Sequence, residues 1–145
     1  MGLYMATTQI TADKSANEVG IILASHGATE TMMVYENGVA SGLSFRINKG
    51  GRPVSFQLPV RADKVLVAMK NDRRIQRRLC NQEQAARVAW RLILRWVQSQ
   101  LALVEVGVVD LAEVFLPYAH TSKGLTLYES LTQDGVLALP ERASR

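Results

Sequence analysis

The sequence contains little of the chemistry that metal sites and most catalytic centres use. It has one cysteine and two histidines in 145 residues. A single cysteine excludes an internal disulfide and fits a reducing compartment, so we expect a cytoplasmic protein. No Cys-x-x-Cys pair or histidine at ligand spacing accompanies Cys80, so we expect neither a metal nor a cofactor. Its neighbours Arg77 and Arg78 would favour a thiolate, but a quiet core thiol is the simpler interpretation.

The histidines and carboxylates show no catalytic arrangement. His26 lies at the end of the first predicted helix, where a cation suits the helix dipole. His120 lies in a polar turn with no acid paired to it. The spacings of Asp110/Glu113 and Thr126/Glu129 are those of helix capping boxes. Phosphate-binding glycine loops and the Gly-x-Ser-x-Gly motif are absent. We therefore predict a protein without enzymatic activity.

Long apolar runs and aromatic residues are also scarce. The longest apolar candidate, over 101–109, is interrupted by Glu105 and Gly107 and is shorter than the roughly 18 residues of a membrane span. We therefore expect no membrane association. Aromatic residues make up 6% of the chain, and Phe45 and Phe56 alternate onto the predicted core side. Only Tyr35 is placed to stack on a nucleobase, so any nucleic-acid contact should be mostly electrostatic.

The patterns that are present predict one α+β domain with the order α-β-β-β-α-α-α. It consists of an N-terminal helix, a three-stranded antiparallel meander, a long central helix and short C-terminal helices. We place this domain at 15–133, after a flexible lead-in over 1–14 and before a frayed tail over 134–145. The apolar content of 48% is ordinary for a globular protein.

Local signals place the elements. Ser15 and Glu18 form a capping-box pattern that predicts a helix over 16–26. Strands are expected over 29–36, 39–47 and 54–58, with Asn37-Gly38 as the first hairpin turn. A long helix over 82–106 is capped by Asn81, and short helices follow Asp110 and Thr126. A short helix is one option over 62–70, and 71–80 is either a basic helix or a mobile basic connection.

Charge is the most unevenly distributed property. The net charge is +4, but residues 46–95 hold thirteen Lys or Arg against three acids, a net of +10. The segments on either side each carry −3. Such a field attracts polyanions or acidic protein surfaces, although it also matches the protein's own acidic flanks.

This basic segment is the one candidate functional site. Guanidinium groups match phosphate oxygens, so we predict binding of nucleic acid, with single-stranded DNA favoured and little sequence preference. The residues lie on the second hairpin, in the following connection and along the long helix: Arg46, Lys49, Arg52, Arg73, Arg74, Arg77, Arg78, Arg87, Arg91 and Arg95.

Other interpretations stay open at this point. The arginines could simply solvate exposed faces or pair with carboxylates such as Glu83 and Glu105. The chain could also be a protein-binding module, an inhibitor or adaptor acting on a host or phage protein. A homo-oligomer is a further option, because Trp90, Leu94 and Leu101 extend the apolar arc of the long helix toward its polar strip.

The second half of the chain carries a recurring pattern. Residues 90–107 (WRLILRWVQSQLALVEVG) end in a Glu-x-Gly turn, 113–118 read EVFLPY, and 124–131 (GLTLYESL) contain Gly-x-Thr-x-x-Glu. This pattern resembles a family of small uncharacterised proteins of phages and mobile elements. The hairpin region, including Gly27-Ala-Thr29, is also similar, so the resemblance spans most of 15–131. It implies a phage or prophage setting and supplies no catalytic residues.

Overall fold

The computed structural model describes residues 3–135 and has the predicted α+β architecture. The strands pair antiparallel in the order β1-β2-β3, which confirms the meander. Short 3-10 turns cover Arg77–Leu79 and Leu116–Tyr118. The predicted tail from residue 136 and the first two residues of the predicted lead-in lie outside the described residues. The elements in chain order are α1 Ala12–Ser25, β1 Glu30–Glu36, β2 Val39–Lys49, β3 Arg52–Gln57, α2 Ala62–Asn71, α3 Gln82–Glu105, α4 Leu111–Phe115 and α5 Leu127–Gln133.

The sheet buries one face, as its alternation predicts. Asn37 and Gly38 have φ of 51° and 78°, the conformation that the hairpin turn requires. Inward side chains of β2 and β3, among them Phe45 and Phe56, are buried, and these two rings stack with centroids 5.0 Å apart. Alternate residues therefore point to the outer face, and the helices within residues 3–135 leave much of that face exposed.

The long helix α3 packs against the rest of the chain on three sides, although its last turn is largely exposed. The indole Nε1 of Trp90 donates to the Ala40 carbonyl of β2 at 2.7 Å, α1 packs along a second side, and α2 packs along a third. The side chains of Trp90, Leu94 and Leu101 are buried. The apolar arc that suggested self-association is thus covered within the chain, so it no longer supports an oligomer.

The predicted start of α1 is wrong. The helix begins at Ala12, and the Oγ1 of Thr11 caps it by accepting from the Lys14 N–H at 3.2 Å. Ser15 is buried on the side that faces α3. Both threonine and serine are good N-caps, and burial of the apolar residues one turn earlier extends the helix to Thr11. The predicted caps at Asn81, Asp110 and Thr126 are all confirmed.

The chain ahead of α1 is tied to the start of α3. Gln84 is buried, and its Nε2 donates to the carbonyls of Ala6 and Thr8, both at 2.9 Å. Ala6 is itself buried in a small apolar cluster with Met69 and Val88. Residues 3–10 therefore cover the end of α3 that lies beside α2.

Residues 72–81, here named the basic connector, form no α-helix. A turn at Asp72 leads into the 3-10 turn, and between them Ile75 is inserted into the cluster of α2 and α3. Its side chain is 8% exposed. The helical alternative for this stretch is wrong, because burying Ile75 and closing the turn at Asp72 both break the helical path.

Candidate nucleic-acid interface

The ten predicted contact residues lie in three separate places. Lys49 pairs with Asp110, which lies just beyond the C-terminal end of α3, whereas the basic connector leads into its N-terminal end. A helix of 24 residues is about 36 Å long. The hairpin group and the connector are therefore far apart, and the predicted residues do not converge on one surface.

The hairpin group is largely neutralised. Arg46 lies on the outer face of the sheet, with Nη1 3.1 Å from the Glu30 carboxylate and Nε 3.4 Å from Ser55 Oγ. Lys49 forms its ion pair with Asp110. Only Arg52 is exposed without a carboxylate partner among residues 3–135. This group offers one uncompensated cation.

The three arginines on α3 have different surroundings, and only Arg91 contacts α1. Arg87 pairs with Glu83 at 2.8 Å. Arg91 is 9% exposed, with Nη1 3.5 Å from Glu18 and 3.4 Å from Ser15 Oγ. The prediction that this strip is solvent-exposed is wrong at Arg91, because α1 lies over it. Arg95 is exposed and bonds Gln98 at 3.0 Å.

The basic connector keeps most of its charge available. Arg74 makes a two-point pair with Asp72 at 3.0 and 3.2 Å. Arg73, Arg77 and Arg78 are exposed, and none is paired with a carboxylate in the described part of the chain. Because buried Ile75 anchors this segment, these three cations extend from an ordered backbone.

Helix α2 adds cations that the sequence-based selection missed. Lys64 and Lys70 are exposed on it, and Arg61 precedes it. Arg61 and Lys64 border a shallow groove of about 270 Å³ between α2 and α3, whose floor includes Pro59, Leu92 and Ile93. The signal that could have found them is the polar side of the amphipathic α2 pattern, which runs directly into the connector.

Two ion pairs predict that the folded protein loses stability in acid. The hydrogen bond from Arg74 lowers the pKa of Asp72, and the hydrogen bond from Lys49 lowers the pKa of Asp110. A lowered carboxyl pKa contributes stability that is present above the ordinary value, about 3.9, and is lost as pH falls through the lowered value. The unfolding temperature should therefore decrease as the pH drops below about 4.

The Asp110→Asn variant isolates one of these pairs, because asparagine caps a helix as well as aspartate does. This variant should have a lower unfolding temperature than wild type at neutral pH. Its unfolding temperature should fall less than that of wild type as the pH is lowered, which thermal unfolding across the acid range would measure. Asp134→Asn, at an exposed carboxylate outside any ion pair among residues 3–135, is the control. If the unfolding temperatures of Asp110→Asn and wild type fell equally in acid, the Lys49–Asp110 pair would not be a source of the acid sensitivity.

Two other candidate groups, His26 and Cys80, have structural partners. His26 bonds the Ile22 carbonyl at 2.9 Å through Nδ1 and Glu105 at 3.2 Å through Nε2. The Sγ of Cys80 lies 3.5 Å from the Met69 carbonyl. Over residues 3–135, no cluster of three or more His, Cys, Asp or Glu side chains is arranged for a metal ion.

No helix within the described range is both long enough and apolar enough to cross a bilayer.

Known proteins add no further constraint on this site. Comparison with protein-family models, with curated proteins and with solved structures finds no match for this chain. The resemblance to phage and mobile-element proteins therefore stays a prediction.

Proposed function

We propose that this chain is a non-catalytic protein that binds single-stranded nucleic acid, with little sequence preference, through the basic connector and α2. The observation that carries the proposal is the state of Arg73, Arg77 and Arg78. They are exposed, they lie on a segment anchored by buried Ile75, and no carboxylate within residues 3–135 neutralises them. These three uncompensated arginines lie within six residues of one another, whereas Arg52 and Arg95 are single uncompensated cations elsewhere in the described part of the chain.

Phosphate contacts would supply most of the affinity. Each guanidinium presents a planar set of donors that matches phosphate oxygens. Lys64 and Lys70 on α2 extend the positive surface along one side of the connector. An anchored backbone loses less conformational entropy on binding than a mobile loop would.

The groove between α2 and α3 supports a preference for single strands. Its floor of Pro59, Leu92 and Ile93 is apolar, and its border carries Arg61 and Lys64. An unpaired base could pack against this apolar floor and be removed from water, while its phosphate contacts the cations. Bases in a duplex are already stacked and paired, so they would gain less from the groove. DNA is the favoured form, and an apolar floor would accept any base.

Removing the three free cations should abolish most binding. Each phosphate contact on a single strand contributes about 0.7 to the salt slope, so the variant Arg73→Ala/Arg77→Ala/Arg78→Ala should lower that slope by about 2. At about 0.1 M salt, affinity should fall roughly 100-fold. Fluorescence anisotropy with labelled oligo(dT) at several salt concentrations measures both quantities.

The matched control removes the same number of charges from neutralised positions. Arg46→Ala/Lys49→Ala/Arg87→Ala changes the formal charge equally, at residues already paired with carboxylates. It should retain most of the affinity. Equal losses in the two triple variants, or wild-type binding that does not respond to salt, would contradict the site. Binding to an acidic protein surface but not to DNA or RNA would contradict the proposed ligand.

A further inference from the structure

The two edge strands of the sheet differ in how far their backbone is covered. Beyond β3, Ala119 bridges to Phe56 and the His120 N–H donates to the Ser55 carbonyl at 2.8 Å. Strand β3 also contains Pro53, which cannot donate to a neighbouring strand. Among residues 3–135, strand β1 pairs with β2 only, so within this range its other side presents unpaired backbone groups.

Although its pairing with β2 shifts register between Val34 and Tyr35, strand β1 lacks two features that normally prevent edge pairing. Its central stretch over 31–35 (TMMVY) contains neither a charge nor a proline. Met32, Val34 and Tyr35 are 62%, 44% and 60% exposed. By their register, Met32 lies on the outer face of the sheet and Tyr35 on the inner face. A seven-residue strand with exposed apolar side chains on both faces is suited to strand addition.

We propose that β1 is a docking edge for an extended segment of a partner protein, which adds a fourth strand beside it. This inference is independent of the nucleic-acid site, which lies on α2 and the connector. The charges around β1 define the partner. Arg46 compensates Glu30, but Glu36 has no ion pair in the described chain, and Asp13 accepts from the Ala40 N–H beside the same turn at 3.2 Å. The segment should therefore alternate β-branched or aromatic residues and carry a Lys or Arg opposite Glu36.

A second copy of this chain fits the edge poorly. Antiparallel pairing of two β1 strands centred on Met33 would place Glu30 of each copy opposite Glu36 of the other. Parallel pairing would bring the two Glu36 side chains together. Like charges directly opposite each other destabilise a strand pair, so the edge favours a basic segment over its own acidic sequence.

The experiment selects peptide ligands from a library and does not presuppose the partner's sequence. A random nonapeptide display library is panned against the full chain, and binders are measured by fluorescence anisotropy and by amide hydrogen exchange. We expect alternating Val, Ile or Thr with Lys or Arg at one end, and slowed exchange at residues 31–35. Glu36→Lys should weaken these peptides at least tenfold, whereas Asp134→Lys, the same charge change at an exposed site on the C-terminal side of α5, should not.

Three results with the peptides would overturn the proposal. The selected peptides could protect amides elsewhere, the panning could return no peptide that protects β1, or Glu36→Lys and Asp134→Lys could weaken binding equally. Light scattering at several protein concentrations tests whether a second copy of this chain occupies the edge instead. A dimer whose formation protects β1 would show that a second copy takes the edge and would refute the basic partner.

Discussion

Replacing Trp90 with alanine should lower the free energy of unfolding by about 4 kcal/mol, the typical cost of truncating a fully buried aromatic side chain. The indole is completely buried among α1, α3 and the sheet. Its Nε1–H is also the hydrogen bond that connects α3 to the Ala40 carbonyl. Urea or guanidinium unfolding followed by circular dichroism measures the change.

Two further variants separate packing from hydrogen bonding. Trp90→Phe keeps most of the apolar volume but removes the donor, so it should cost about 1–3 kcal/mol. Trp96→Ala makes the matched substitution at a half-buried indole that packs edge-on against Phe115 at 5.4 Å, and it should cost less than Trp90→Ala. If Trp96→Ala were as costly as Trp90→Ala, Trp90 would not be the principal link between helix and sheet.

Arg91 should behave as a structural residue of the α1–α3 contact. Its Nη1 lies 3.5 Å from Glu18, and its Nε is buried with no hydrogen-bond partner in the described structure. A buried ion pair is often no better than an apolar replacement, whereas removing one partner leaves a charge uncompensated. Glu18→Gln should therefore destabilise by about 2 kcal/mol, while Arg91→Met should lie within about 1 kcal/mol of wild type or be more stable.

The control for Arg91 is its neighbour one turn earlier. Arg87 pairs with Glu83 near the surface, and exposed pairs of this kind contribute less than about 1 kcal/mol, so Arg87→Ala should have little effect on unfolding. Arg91→Met should also leave oligo(dT) affinity nearly unchanged. A large loss of affinity in Arg91→Met with normal stability would show that α1 does not shield Arg91 from the ligand.

These expectations separate two roles of the same residue type. Five basic residues each lie beside a carboxylate of this chain, namely Arg46, Lys49, Arg74, Arg87 and Arg91. The pairs of Arg46, Lys49 and Arg91 join different elements, whereas those of Arg74 and Arg87 are local. No carboxylate among residues 3–135 pairs with Arg73, Arg77 or Arg78, so these three are the cations that we propose for the ligand. Net charge over a segment therefore overstates the surface that can attract a polyanion.

Local chemistry was sufficient to predict most of the elements. Asn37-Gly38 predicts its hairpin because both residues tolerate positive φ, and the alternation around Phe45 and Phe56 identifies the buried face of the sheet. The caps at Asp110 and Thr126 depend on residues three positions away. Each of these signals acts within a few residues, which is why the sequence alone determines the order α-β-β-β followed by helices.

Contacts between distant segments decided the rest. Ser15 and Thr11 compete as caps, and only the packing of α1 on α3 selects Thr11. The same packing buries Arg91, although its spacing from Arg87 and Arg95 predicts a single solvent-exposed line. Which cations are neutralised and which edge strand is uncovered depend on where partners such as Glu18, Asp110 and Ala119 arrive in space. Charge pairing and strand coverage act between residues that are close in space but far apart along the chain. Local spacing in the sequence therefore cannot predict them.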